Sequence, residues 1–248
     1  HMPQDFDERG EVIGYVVKAG GLQGYLVSKR EVDKFNIQSL DDFKRPEVKE
    51  AFDRNGDGKA DLVACPPGWG CENTITYHLE VYGMKDHINP IKAGYTASMA
   101  DALANYKTGK PVFFYTWAPN WTIFKFKPGK DVMWINVPEI KPRPVEMDAV
   151  DRMTVAGVEG AVSDPAKLGF VVADIQIVAN KKFLAENPAA KAFFEVFTLP
   201  LSDINEQNTR MQNGEKSQKN IERHALEWIE RNRKEWDRWL KVARSAAN

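Results

Sequence analysis

Residues 111–117 read PVFFYTW, a continuous apolar run on which the assignment of the fold class depends. A strand with large apolar side chains at successive positions is typical of a strand that is buried on both faces of a mostly parallel sheet. A short apolar run at 62–64 and helical patterns at 72–83 and 97–106 precede it. This order of strand, helix, helix and strand predicts α/β layering.

The flanking regions extend the same pattern. Further strands are predicted at 11–17, 22–28, 131–137 and 168–180, and a proline-rich surface excursion at 139–165. Helices are predicted at 182–199, interrupted by Pro188 near its start, and at 201–211 and 217–243. The last helix carries Trp228, Trp236 and Trp239 at helical spacing, which favours core packing over a ligand cage. His224 lies on the same stripe and is interpreted as a partly buried histidine with its hydrogen bonds satisfied.

Composition limits the function classes. The chain has 248 residues, of which 43% are hydrophobic and 28% charged, which suits one large domain or two small lobes. A net charge of -1 argues against a nucleic-acid partner. No apolar run reaches the roughly 18 residues of a membrane span. The opening His1-Met2 resembles a cloning remnant, so the lack of a signal peptide says nothing about compartment.

Catalytic motifs are absent from the sequence. It contains no Gly-x-Ser-x-Gly elbow, no His-Glu-x-x-His, no phosphate loop and no Gly-x-Gly-x-x-Gly after a strand. We therefore predict that the protein is not an enzyme, with no catalytic residues and no cofactor.

The two cysteines of the chain bracket a short loop, residues 65–71, which reads CPPGWGC. Proline and glycine favour a turn that brings Cys65 and Cys71 together in a disulfide, and two free buried thiols are the alternative. A zinc site is disfavoured because four ligands are needed and only His78 and His87 are near in sequence. We therefore predict no metal.

Trp69 lies between two glycines in this loop and has little to pack against locally. An aromatic face attracts a cation, and the Gly70 and Cys71 amides at the predicted helix start attract an anion. Together they suit a small zwitterion. The alternative is a structural tryptophan beneath a turn.

Trp117 ends the apolar strand at 112–117. Because ligands of open α/β sheets lie at the carboxyl ends of strands, Trp117 and Trp69 could face one crevice. Packing in the core or at an edge is the alternative for Trp117, and packing is the favoured interpretation for Trp121.

Residues 53–61, DRNGDGKAD, resemble the start of a calcium-binding loop. Such a loop needs a bidentate glutamate at its twelfth position, where this chain has Ala64. A turn held by Asp and Asn side chains is therefore favoured over calcium.

Seven segments carry a resemblance to one family: 24–26, 52–62, 65–72, 109–117, 127–132, 177–181 and 185–190. The chain resembles, from about Glu11 to its C-terminus, the periplasmic glycine betaine-binding proteins of osmoprotectant ABC transporters, of the ProX type. The resemblance implies a type II periplasmic-binding-protein-like α/β fold, a two-lobed clamp that closes on its ligand. It also implies a periplasmic or other extracytoplasmic location.

The same resemblance implies specific roles for the loop residues. Trp69 and Trp117 would be aromatic walls around a quaternary ammonium, and the Gly70 and Cys71 amides would bind the carboxylate. Cys65 and Cys71 would form a disulfide. The implied partners are glycine betaine or a similar small zwitterion and the permease of an ABC transporter.

The chain departs from the family pattern at its N-terminus. The family has roughly 90 further residues there, which supply one more tryptophan and a histidine. We therefore expect the second lobe (27–164) to be intact and the first to be incomplete, made of residues 1–26 and 165–248. Homo-oligomerisation or chain exchange through the incomplete lobe could complete the pocket. The alternative function is an interaction or structural fragment without useful ligand affinity.

Overall fold

A computed structural model describes residues 5–247 of the chain. They divide into two compact units, one formed by residues 5–21 with 173–247 and the other by Leu22–Val172. The sequence placed the two lobe boundaries at 26/27 and 164/165, within several residues of these divisions. The identity of the units with lobes stays a prediction.

The unit of residues 22–172 is built on a five-stranded sheet in the order β4-β3-β5-β2-β6. Its strands are β2 (Gln23–Ser28), β3 (Ala60–Val63), β4 (Ile88–Ile91), β5 (Phe113–Trp117) and β6 (Val132–Ile135). Strands β3 and β5 pair in parallel, as do β3 and β4, whereas β2 is antiparallel to both β5 and β6. Four strands thus run in one direction and β2 runs against them, so the sheet is mixed, with two parallel and two antiparallel pairings, where the apolar run at 111–117 predicts a mostly parallel one.

Helices and short elements surround this sheet. They are α2 (Lys29–Phe35), α3 (Pro46–Phe52), α4 (Gly70–Val81), α5 (Tyr95–Lys107) and α6 (Thr122–Lys125), with 3-10 helices at Leu40–Lys44 and Pro144–Met153. Two short strands, β7 (Thr154–Val155) and β8 (Ala166–Lys167), pair antiparallel. The predicted surface excursion at 139–165 therefore contains a 3-10 helix and β7.

The core of this unit is aromatic. Phe113 of β5 stacks on Phe43 with ring centroids 4.2 Å apart, and Phe52 meets the same ring edge-on at 6.3 Å. All three side chains are buried. Burial of side chains of this size stabilises a fold by about 2–3 kcal/mol each, so these three rings contribute substantially to the stability of the unit.

The other unit contains an antiparallel pair of strands and six helices within its described residues. The strands are β1 (Gly10–Gly21) and β9 (Ala173–Asn180), with register Gly10↔Asn180 to Gly21↔Ala173 and shifts between. At one shift, Gly14 has φ +66° and a Cβ there would lie 2.1 Å from the Phe194 carbonyl oxygen, so the close packing requires glycine. The helices are α1 (Phe6–Arg9), α7 (Lys181–Glu186), α8 (Pro188–Val196), α9 (Leu201–Gln212), α10 (Gln218–Arg231) and α11 (Arg233–Ser245).

Two predicted helical regions of this unit are each divided in two, one where the sequence predicts it and one where it does not. The prediction of a single helix at 217–243 is wrong because the helix is interrupted at Asn232. The backbone N–H and the side-chain Nδ2 of Asn232 both donate to the Trp228 carbonyl oxygen at 2.9 Å. The helix at 182–199 is interrupted at Asn187-Pro188, which confirms the predicted interruption at Pro188, since proline disfavours a helical residue before it.

The tryptophans of the stripe pack against one another, with Trp228 and Trp236 half-buried around Trp239. Trp239 is fully buried and stacks on Trp228, with centroids 5.6 Å apart, and Trp236 meets Trp239 edge-on at 6.2 Å. His224 is buried, with Gln207 Oε1 3.0 Å from Nδ1 and Glu215 Oε2 2.8 Å from Nε2, so its hydrogen bonds are satisfied.

None of the helices within residues 5–247 has the length and apolar character needed to cross a membrane.

Candidate functional site

The loop that follows β3 is closed by a disulfide. Cys65 and Cys71 are bonded, with their Cα atoms 5.9 Å apart, which confirms the predicted pairing. Between them, Gly68 has φ +86°, a backbone conformation that glycine adopts at little cost. The Trp69 N–H donates to the Pro66 carbonyl oxygen at 3.3 Å. These constraints fix a tight loop with Trp69 at its exit.

Helix α4 begins at Gly70, two residues before the predicted start, and Trp69 occupies the N-cap position. An indole has a hydrogen-bond donor but no acceptor, so the side chain at this N-cap cannot accept from the first-turn amides. The Gly70 and Cys71 N–H groups lie in that first turn, where a helix offers them no carbonyl. The Gly70 and Cys71 N–H groups at the start of α4 therefore have neither a side-chain cap from Trp69 nor a helix carbonyl as acceptor, and their predicted binding of an anion stays a prediction.

Three aromatic rings meet beside this helix start. Trp69 and Trp117 pack edge to face, with centroids 5.5 Å apart and an interplanar angle of 68°. The Tyr95 ring lies 5.0 Å from Trp117 and 6.1 Å from Trp69. Trp69 is 44% exposed whereas Tyr95 is 5% exposed, so the cluster is backed by Tyr95 and open at Trp69. The structure thus brings the two predicted tryptophans together.

Strand topology explains this meeting. The parallel strands β3, β4 and β5 end at one edge of the sheet, and the disulfide loop, Tyr95 and Trp117 all lie at or just after those ends. Trp117 is the last residue of β5 and is paired with Gln23 of β2. Trp121, which follows on the next turn, packs against the core as predicted.

Tyr95 was missed by the sequence analysis. It is the first residue of α5, and its Oη lies 3.0 Å from the Tyr115 carbonyl oxygen and 2.9 Å from Thr116 Oγ1. Burial raises the pKa of Tyr95 to about 12, so its hydroxyl stays protonated and can donate to either oxygen. The available signal is its position four residues after the end of β4 at Ile91, but β4 reads INPI and its proline conceals the strand.

A charged pair lies next to the helix start. Glu72, the third residue of α4, accepts the Gly68 N–H on Oε2 at 2.8 Å and the Lys92 ammonium on Oε1 at 2.9 Å. These hydrogen bonds, the one from Lys92 first, lower the pKa of Glu72. The Glu72 carboxylate is therefore ionised and closes the disulfide loop from the helix side.

His78 lies on the side of α4 that faces away from solvent. It is buried, its Nδ1 lies 2.9 Å from Tyr25 Oη, and its ring meets Phe170 edge-on at 5.0 Å. Burial lowers the pKa of His78 to about 4, so the imidazole is neutral at pH 7. It is a core residue of this unit.

The loop at 53–61 is a turn held by its own side chains. Asp53 accepts the N–H groups of Gly56, Asp57 and Gly58, and Asp57 Oδ1 accepts that of Lys59. These hydrogen bonds form the side-chain-held turn that the favoured interpretation predicts. That the loop binds no calcium stays a prediction. Within residues 5–247 no cluster of three or more His, Cys, Asp or Glu side chains could hold a metal ion.

Comparison with known families gives one match over most of the chain. The family model described as the OpuAC substrate binding domain of ABC-type glycine betaine transport system matches residues 3–231.

Curated relatives agree with this match. The chain is 43% identical over 232 residues to the glycine betaine-binding periplasmic protein OusX of Dickeya dadantii (strain 3937), covering 94% of this chain and 67% of the relative. It is 40% identical over 227 residues to the glycine betaine/proline betaine-binding periplasmic protein of Escherichia coli (strain K12), covering 92% and 66%. The chain therefore spans about two thirds of the length of these relatives.

A solved structure supports the fold. The structure of an ABC-transporter choline binding protein in complex with choline superposes with a TM-score of 0.64 at 15% sequence identity. The match covers 95% of this chain and 68% of the choline binding protein. At this identity the likeness concerns the fold alone. It confirms the predicted α/β fold class.

Proposed function

This chain belongs to the substrate-binding domains of ABC-type glycine betaine transport systems, and from that premise we propose that it captures glycine betaine or a related quaternary ammonium osmolyte for import. The family is one of substrate-binding domains and not of enzymes. Like its periplasmic relatives, the protein works outside the cytoplasm, where it delivers its ligand to the permease of an ABC transporter.

One observation carries the proposal: the edge-to-face pair of Trp69 and Trp117 with an exposed ring on Trp69. A trimethylammonium group has no N–H to donate, so hydrogen bonds cannot select it. The electron-rich faces of indoles can, because a cation over an aromatic face is stabilised by about 0.5–2 kcal/mol per ring. These two rings are the proposed walls of the ammonium site.

The carboxylate of the ligand is proposed to bind the N–H groups of Gly70 and Cys71. Both lie in the first turn of α4, where the partial positive charge of the helix also favours an anion. The disulfide at Cys71 holds this turn beside Trp69. A ligand with an ammonium at one end and a carboxylate at the other would satisfy both parts of the site.

A second part of the proposal concerns association. The β1–β9 pair carries Val12, Tyr15 and Val178 as large exposed apolar side chains. Such surfaces favour contact with another chain. A second copy, or exchange of chain segments between copies, is the proposed means by which the pocket gains further walls.

Titration calorimetry with glycine betaine, on protein sized by light scattering, tests both parts. Glycine is the matched control ligand because it has the same carboxylate but an ammonium that can donate hydrogen bonds and lacks methyl groups. We expect micromolar affinity for glycine betaine, at least tenfold weaker binding of glycine, and a dimer. Equal binding of the two ligands, or none, would refute the ligand assignment, and a monomer that binds would refute the association.

A further inference from the structure

The charged pair Glu72–Lys92 has a consequence for ligand choice. The Glu72 side chain belongs to the same helix turn as the Gly70 and Cys71 N–H groups that are proposed to bind a carboxylate. A negative side chain in the first turn interacts with the partial positive charge of the helix N-terminus, which is the same charge that would stabilise the ligand carboxylate. Without a counter-charge, it would also repel the ligand carboxylate.

Lys92 supplies that counter-charge. Its Nζ lies 2.9 Å from Glu72 Oε1, and the two side chains are 33% and 21% exposed, so the pair is only partly screened by water. Lys92 follows directly on β4, and the disulfide loop follows β3, which pairs with β4 in parallel. The sheet therefore holds the ammonium and the carboxylate in place from two different segments.

The pair also fixes where the Glu72 carboxylate points. Oε2 accepts the Gly68 N–H at 2.8 Å while Oε1 accepts from Lys92, so both oxygens have partners other than the Gly70 and Cys71 amides. A Glu72 side chain released from Lys92 could turn toward those amides and compete for them. The ion pair thus controls both the charge and the access of the anion end of the site.

We propose that Lys92 is a specificity-determining residue of the ligand site: by neutralising and holding Glu72, it keeps the start of α4 available to the carboxylate of a zwitterion. The inference rests on the proposed function. It makes Lys92 a positioning residue that acts through Glu72 and touches no ligand itself. Loss of Lys92 therefore weakens ligands that carry a carboxylate and leaves cations without one unaffected.

The test compares glycine betaine with choline, which shares the trimethylammonium but has a hydroxyl in place of the carboxylate. Lys92→Met should weaken glycine betaine about three- to tenfold, the range of one partly screened charge pair, and leave choline within twofold. Lys85→Met is the matched control. Lys85 pairs with Glu80 at the far end of the same helix, at 3.2 Å, so this variant has the same net charge and should bind both ligands as the wild type does.

The double variant Glu72→Gln/Lys92→Met separates this account from direct contact between Lys92 and the ligand. A glutamine keeps an oxygen for the Gly68 N–H but has no charge, so it should restore most of the lost affinity for glycine betaine. Restoration together with unchanged choline binding supports the proposal. No restoration, or equal weakening of both ligands, overturns it.

Two measurements keep these outcomes distinct. Urea unfolding of each variant shows whether an affinity change follows from lost folding, in which case both ligands weaken together. A wild-type protein that binds neither ligand overturns the proposed function and this inference with it. A wild type that binds glycine betaine, with a Lys92→Met variant that binds it equally well, overturns this inference alone.

Discussion

Trp69 combines features that rarely occur together in a tryptophan. Glycines flank it, a disulfide closes the loop behind it, and its ring remains 44% exposed beside Trp117. A large exposed ring adds little to folding, since burial is what stabilises the fold. The cost of keeping it in water is explained if the ring is buried only when ligand binds.

Replacement of Trp69 by alanine should therefore separate binding from stability. We expect affinity for glycine betaine to fall about 5- to 30-fold, the effect of losing one wall worth about 1–2 kcal/mol. The free energy of unfolding should change by less than about 1 kcal/mol, because the ring is half in solvent. Titration calorimetry and urea unfolding measure the two quantities.

Phe183→Ala is the control, because Phe183 is 42% exposed and lies in the other unit. It should leave ligand affinity unchanged. If Trp69→Ala binds glycine betaine as tightly as Phe183→Ala does, Trp69 is not part of the site.

His78 makes stability depend on pH. Its pKa in the folded protein is lowered to about 4 from the ordinary 6.5, so the unfolded chain binds the proton more readily. The contribution of the neutral His78 imidazole to the free energy of unfolding is fully present above pH 6.5 and is lost as the pH falls toward 4. The loss amounts to roughly 3 kcal/mol.

The measurement is the free energy of unfolding in urea at several pH values between 7 and 4, for the wild type and for His78→Gln. The variant should be less stable at pH 7 and should have a flatter pH profile. Direct titration of the His78 ring by NMR gives the folded pKa, and a value near 6.5 would contradict the expected role of burial.

How far single residues could be predicted depended on local pattern. The cysteine spacing, the glycines around Trp69 and the strand-end position of Trp117 are all visible along the chain. Tyr95 and Lys92 were missed because their meaning arises only from strand pairing. They become neighbours of the loop when β4 aligns beside β3, and the sequence of β4 does not resemble a strand.

At the scale of elements, the disulfide loop acts as one piece with the first turn of α4. The cross-link closes a loop whose ends are six positions apart. Chain-entropy arguments give about 2 kcal/mol of stabilisation for so short a loop. The hydrogen bond from the Gly68 N–H to the Glu72 carboxylate connects the same loop to the first turn of α4 a second time.

The double variant Cys65→Ala/Cys71→Ala should lower the free energy of unfolding by about 2 kcal/mol. Affinity for glycine betaine should fall about three- to tenfold, because the freed loop must be ordered when ligand binds. Calorimetry at a temperature where the variant is fully folded measures the second effect. Unchanged affinity would show that the Glu72 hydrogen bond alone positions the Gly70 and Cys71 amides.

Element boundaries illustrate what periodicity cannot provide. The apolar stripe continues from α10 into α11, so the pattern predicts one helix across both. The break at Asn232 depends on a side chain that bonds to the Trp228 carbonyl oxygen, a local competition that the spacing of apolar residues does not record.

For the molecule as a whole, the two units differ in how the chain forms them. Residues 22–172 are continuous, and the main apolar core, which runs from Tyr25 to Phe170, lies entirely within them. The other unit joins two distant stretches of chain. All residues of its strand β9 keep some solvent exposure. The α/β class was predictable because apolar strands and helices alternate in the continuous unit.

A fragment of residues 22–172 should consequently fold alone. We expect a cooperative urea transition and a near-UV spectrum with ordered aromatic side chains, since its core needs no contribution from outside the fragment. The full-length chain, measured in parallel, should show this transition too. A fragment that unfolds gradually without a transition would contradict the independence of its core.

The register between Gly10 and Asn180 also has a temporal consequence. The ribosome releases β1 long before its partner β9 exists, because the whole of the continuous unit is synthesised between them. During that interval β1 is an unpaired strand whose backbone groups can be captured by another chain. Strand pairing at this sequence separation is intrinsically slow, so we expect the β1–β9 pair to form late in folding.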